Sequence, residues 1–127
     1  MEKIMAKTIA KLVGAVFIVV GIVGFFEPHL LHANLGKVHN VVHLVSGALS
    51  LYFGFKGSMS AARQFCLIFG IVYGLLGVCG YFIGPGTEHM LVLTPYLQLG
   101  MRDHIIHIVI AALYLIGGLA TKSSASD

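Results

Sequence analysis

The residues best suited to chemistry in this chain are its histidines. There are seven among 127 residues. His29 and His32 lie in one polar stretch and His89 in another, while the pairs His39/His43 and His104/His107 open the apolar segments that follow. A neutral imidazole offers one donor and one acceptor, titrates near neutral pH and is the commonest metal-ligating side chain. Several uses follow. The rings can hydrogen-bond across a helical bundle, to Asn40, Ser50 or Tyr114, and fix its register. They can hold a metal: His39, His43, His104 and His107 would offer imidazoles to copper or zinc, with Asp103 as a ligand or as the group that orients one. His43 and His107 can also ligate haem b as a pair, one from each half of the chain. A proton or substrate path is a further use. No HExxH, paired CxxC, nucleophile–base set, paired catalytic carboxylates, phosphate loop or dinucleotide fingerprint occurs. The expectation is a non-enzymatic structural or accessory protein without a cofactor, with a metal- or haem-binding protein as the alternative.

The elements that must position these residues are membrane-spanning helices. Hydrophobic residues make up 57% of the chain and charged residues 10%, against about a quarter charged in soluble domains. Mean hydropathy is +0.93. Four apolar segments stand out, at about Ile9–Phe26, Val38–Phe55, Phe65–Ile83 and His104–Ala120. Each is at the short end of what crosses a bilayer core as a helix. Pro28 and Gly36, then Gly57 and Ser58, then Gly84, Pro85 and Gly86 separate them. An all-α bundle of four transmembrane helices is expected, one domain over residues 1–122 with a disordered Ser-rich tail at 123–127. The first segment has a basic start, but its long apolar run and lack of a small-x-small cleavage site favour a retained helix over a signal peptide. Cys66 and Cys79 share one segment about 20 Å apart along a helix and cannot bridge.

The basic residues fix an orientation. Lys3, Lys7, Lys11, Lys56, Arg63 and Lys122 fall on one side, against Lys37 and Arg102 on the other. The positive-inside rule then places both termini in the cytoplasm, in the inner membrane of the cell, and all seven histidines on the outer side. The net charge of +3 forms no basic stripe, so nucleic acid is not an expected partner. The lipid bilayer is; a second copy of the chain or another membrane protein is left open. Glu27 and Glu88, also outer, would draw cations toward the histidines.

The two halves resemble each other. Shifting the first segment by 56 positions lays Gly14, Gly21 and Gly24 on Gly70, Gly77 and Gly80, and shifting the second by 64 lays His43 on His107 and Gly54 on Gly118. Two tandem hairpin repeats, about 9–55 and 65–120, are expected, related by a pseudo-two-fold axis along the membrane normal. In the second segment His43, Gly47, Ser50 and Gly54 form one stripe, matched in the fourth by His107, Ala111, Tyr114 and Gly118. Small residues at such spacing let helices approach closely in lipid, so His43 and His107 should face protein. Asn40 and His104 lie one turn outward, and His39 matches Asp103. The long second outer connection, with its apolar run Met90–Leu93 and its Thr94-Pro95-Tyr96 turn, would lie flat on the interface and cap the histidines.

Three stretches carry a family resemblance. The segment Val38-His39-Asn40-Val41-Val42-His43-Leu44-Val45-Ser46-Gly47 resembles the second-helix motif of the bacterial membrane family catalogued as domain of unknown function 4383. Gly70-Ile71-Val72-Tyr73-Gly74-Leu75-Leu76-Gly77 resembles that family's third helix, and Asp103-His104-Ile105-Ile106-His107 its fourth-helix start. The resemblance runs from about Ala10 to Gly118 and implies a small four-helix inner-membrane protein. It supplies no catalytic residues.

Overall fold

The structure, a computed structural model, describes residues 5–121; Lys3, Lys122 and the tail at 123–127 lie outside that range. Four helices account for most of it: α1 (Met5–Phe26), α2 (Lys37–Phe55), α3 (Met59–Ile83) and α4 (Met101–Ala120). Each is long and apolar enough to cross a membrane, as expected of a multi-pass membrane protein. The exposed surface agrees, since Leu12, Val19, Ile71, Leu75 and Ile116 all lie outward and more than half exposed, an arrangement that suits lipid and not water.

Local sequence explains the helix ends. Helix α1 stops at Phe26, two residues before Pro28, and α3 stops at Ile83 ahead of Gly84-Pro85, where the residue before proline leaves the helical region. Helix α3 begins six residues before its apolar run because the Ser58 hydroxyl accepts the Ala61 N–H at 3.0 Å, an N-cap that recruits the polar turn with Arg63 and Gln64. In α4 the Asp103 carboxylate reaches back to the Gly100 N–H at 2.8 Å and satisfies an otherwise orphaned donor.

The helices pack as two antiparallel hairpins, α1 on α2 and α3 on α4, with α1 also against α4 and α3. The glycines make the close approaches. A methyl group at Gly14 would meet Leu51, and one at Gly70 would meet Leu115; Gly21 faces Leu44 and the Asn40 carbonyl, and Gly77 faces Ile108 and the His104 carbonyl. Gly54 lies against Lys11 and the Lys7 carbonyl, and Gly118 against Leu67 and the Arg63 carbonyl. The central layer is aromatic, with Phe17 5.2 Å from Tyr73 and 6.5 Å from Tyr114 between ring centroids. Hydroxyls tie the layer together: Tyr114 Oη donates to Ser50 Oγ at 2.9 Å, Ser50 donates to the Ala10 carbonyl at 2.6 Å, and Ser46 and Tyr73 share a bond of 2.8 Å. Cys66 and Cys79 are both free.

The second long connection is more ordered than the flat connector the sequence suggests. It folds as an antiparallel hairpin, β1 (Leu91–Thr94) and β2 (Leu97–Leu99), pairing Leu91 with Leu99 and Val92 with Gln98. Pro95 and Tyr96 make the turn, where proline's fixed φ suits the first corner. The first connection, between α1 and α2, holds a single 3₁₀ turn at Leu30–His32 in which Leu31 and His32 both have positive φ (55° and 60°). The two connections meet at one end of the bundle, where the Asn34 amide lies 3.8 Å from Met90 Sδ, and the Asn34 N–H donates to both oxygens of Asp103, in the first turn of α4, at 3.1 and 3.2 Å.

Candidate metal centre

Directly beneath these connections lie three buried imidazoles. His39 and His43 are one helical turn apart on α2, and His107 faces them from α4; all are 2–4% exposed. One ring nitrogen from each of the three lies within 4.8 Å of the others. Ring centroids are 4.2 Å apart for His39–His43, 5.6 Å for His39–His107 and 6.2 Å for His43–His107. Beside them is a cavity of about 30 Å³ lined by all three rings with Val42, Tyr73, Leu76, Leu97 and Leu99. The two leucines of β2 thus close the site from above, while Phe17 (5.3 Å from His43) and Tyr73 (5.2 Å from His107) floor it. A second, more enclosed cavity of about 120 Å³ reaches His43 and His107 from the other side, walled by Val16, Val20, Leu31 and Ile106.

The hydrogen bonds around the trio fix one ring's chemistry. His39 Nδ1 lies 2.8 Å from the Asn34 carbonyl oxygen. A carbonyl only accepts, so Nδ1 carries the proton and Nε2 of the neutral ring presents its lone pair. That Nε2 is buried with no protein partner, as are Nδ1 and Nε2 of His43 and Nδ1 of His107. Four nitrogens in one apolar pocket are left without a hydrogen bond, where buried polar groups are nearly always paired. Ser50 and Tyr114 do not relieve them, because they bond each other, and the Asn40 amide donates to the Leu35 carbonyl at 3.3 Å.

The remaining sequence candidates stand one step away. Asp103 lies 4.0 Å from His39 Nδ1 and spends its oxygens on the Asn34 main chain and amide and on the Gly100 N–H. It positions Asn34, whose carbonyl in turn orients His39. His104 turns into the α3–α4 groove, where it fills the space a side chain at Gly80 would need, and donates from Nε2 to the His89 carbonyl at 2.6 Å. Asn40 occupies the corresponding space beside Gly24. His89 stacks on Tyr81 with ring centroids 4.3 Å apart. His29 and His32, with Glu88, Met90, Arg102 and Asn34, line an open polar basin of about 480 Å³ between the two connections. Asn34 is the participant that sequence reasoning overlooked. It works through a main-chain carbonyl, and no side-chain pattern marks that.

Comparison with known proteins locates the chain. A family model matches residues 7–120, nearly the whole length. The chain belongs to this family, described as Domain of unknown function (DUF4383). All the members of the trio and their supports fall within the matched region. No curated protein and no solved structure matches the chain.

Proposed function

We propose that this protein is a non-enzymatic, metal-binding accessory protein of the cell inner membrane, with His39, His43 and His107 as the ligands and Asp103 as the group that positions one of them. The observation that carries the proposal is the convergence of three buried imidazoles whose facing nitrogens have no other partner. Three nitrogens bound to one ion at about 2.0 Å stand about 3.5 Å apart. The present triangle therefore closes with ring shifts of about an ångström. The 30 Å³ cavity suits an ion and favours it over haem, since the aromatic layer of Phe17, Tyr73 and Tyr114 fills the space a macrocycle would need. Val42, Leu76, Leu97 and Leu99 enclose the trio in apolar surface, in keeping with a binding role.

An internal two-fold repeat supports the site's construction. Glycine contacts in one hairpin recur in the other at the shifts of 56 and 64 that align the sequences: Gly14 on Leu51 with Gly70 on Leu115, and Gly54 on Lys11 with Gly118 on Leu67. Equivalent residues meet at the centre, as in Phe17 with Tyr73, His43 with His107, and Ser50 with Tyr114. We place the trio near the outer face, with both termini cytoplasmic, on the distribution of lysine and arginine.

The test is metal analysis of the protein purified in detergent and loaded by dialysis. One metal per chain is expected, lost in His43→Leu and His107→Leu and kept in His104→Gln. Equal loss in His104→Gln, or no metal in a folded wild-type protein, would overturn the proposal.

A further inference from the structure

The charge around the trio points to a particular kind of ion. We propose that the site takes a monovalent soft cation, copper(I), in preference to divalent zinc; this rests on the metal-binding function proposed above. The three ligand atoms come from imidazoles, each of which coordinates through an unprotonated nitrogen, and His39 keeps one proton on Nδ1, donated to the Asn34 carbonyl, so the ligand set itself brings no charge. The nearest anion is Asp103, 2% exposed, and among the described residues no lysine or arginine pairs with it. One buried carboxylate is balanced by one positive charge. A monovalent ion makes the buried group of ion, trio and Asp103 neutral, whereas a divalent ion leaves a net charge of +1 among apolar side chains. The solvation an ion forgoes on entering such a pocket rises with the square of its charge, about fourfold from monovalent to divalent.

Coordination number points the same way. Zinc in proteins takes four ligands, the fourth a side chain or a water. A fourth side chain is not at hand, because His104 is committed to the His89 carbonyl and both Asp103 oxygens to N–H donors. The cavity that the three rings share is about 30 Å³, and its other walls are apolar apart from Tyr73, which bonds to Ser46. The cavity of about 120 Å³ on the other side of His43 and His107 is likewise walled by apolar side chains apart from Asp103, a poor seat for a zinc-bound water, which needs two or more polar partners. Copper(II) favours tetragonal surroundings, which three converging rings do not provide. A closed-shell monovalent ion is content with three nitrogens in a plane.

The experiment is a competition titration of the full chain in detergent. Copper(I), held reduced and buffered by bicinchoninate under anaerobic conditions, is compared with silver(I) as a redox-inert surrogate and with zinc(II). Copper(I) and silver(I) should each bind one to one, at least about a hundredfold more tightly than zinc, since only they leave the pocket neutral. Asp103→Asn should weaken copper(I) binding while a thermal melt shows the bundle still folded, and His43→Phe, which keeps a ring and removes its nitrogens, should abolish it. Zinc binding as tightly as copper(I), with the same loss in His43→Phe, would overturn the copper(I) assignment and leave the three-histidine site standing. Failure of all three ions to bind the folded protein would overturn both. Unchanged copper(I) affinity in folded Asp103→Asn would also refute the assignment, because the counter-charge would then have no role.

Discussion

Replacing His43 with leucine should make the metal-free protein more stable. A buried residue in a packed layer usually costs about 1 kcal/mol or more when changed, so the sign is informative. In the apo site both His43 nitrogens are buried without partners, and an unsatisfied buried polar group costs about 1–3 kcal/mol. Removing two such groups relieves about 2–6 kcal/mol on that scale. Against this stands lost ring packing with Phe17 at 5.3 Å and His39 at 4.2 Å, worth about 0.5–1.5 kcal/mol for each aromatic pair. The central balance is a gain of about 2 kcal/mol for metal-stripped His43→Leu, readable as a shift in unfolding midpoint in mixed micelles with dodecyl sulfate. Metal should reverse the order. At a free concentration a hundredfold above Kd, wild type gains about 2.7 kcal/mol and the variant gains nothing. A stripped variant that unfolds more readily than stripped wild type would refute the reasoning, since the imidazole nitrogens would then have to be satisfied in the apo protein.

Three further outcomes are expected. Gly80→Ala and Gly24→Ala should destabilise by about 1–3 kcal/mol in the same assay, because the new methyl collides with the His104 ring or the Asn40 amide; Gly74→Ala, whose methyl would meet Ala111 at 3.4 Å, should be nearly neutral. Ser50→Ala should cost more than Tyr114→Phe: the first strands a buried tyrosine hydroxyl at about 1–3 kcal/mol, whereas the second leaves Ser50 bonded to the Ala10 carbonyl and loses only about 0.6 kcal/mol. In a cysteine-free background, a membrane-impermeant maleimide applied to intact cells should label Glu88→Cys and leave Lys56→Cys untouched; the opposite pattern would invert the proposed topology.

The sequence reveals what repeats along a helix and hides what a loop conformation decides. The four spans were legible from apolar length, and the facing of His43 and His107 from the four-three-four spacing of their glycine stripes; both rings are buried in the bundle. The start of α3 was obscured because Ser58 caps a turn more polar than the span behind it. Selecting His39 over His104 was beyond reach, since both lie one turn or less from their partners on equally apolar helices. What separates them is the path of the two connections: Asn34 offers its carbonyl to His39, and His89 offers its own to His104. Those paths rest on Leu31, His32 and His89 with positive φ, a region usually marked by glycine or asparagine. The β hairpin was masked for a related reason, as Met90–Leu93 is continuously apolar and carries no alternation to announce a strand.

The link from Asp103 to Asn34 to His39 crosses between the two hairpins. The proton position on an imidazole of the first hairpin is therefore dictated by a carboxylate of the second. Expressed as separate fragments divided between Phe55 and Met59, neither piece would own a competent binding site. Ion uptake would become a reporter of fragment recombination, and the chain's own connection between α2 and α3 would matter only for bringing the pieces within reach.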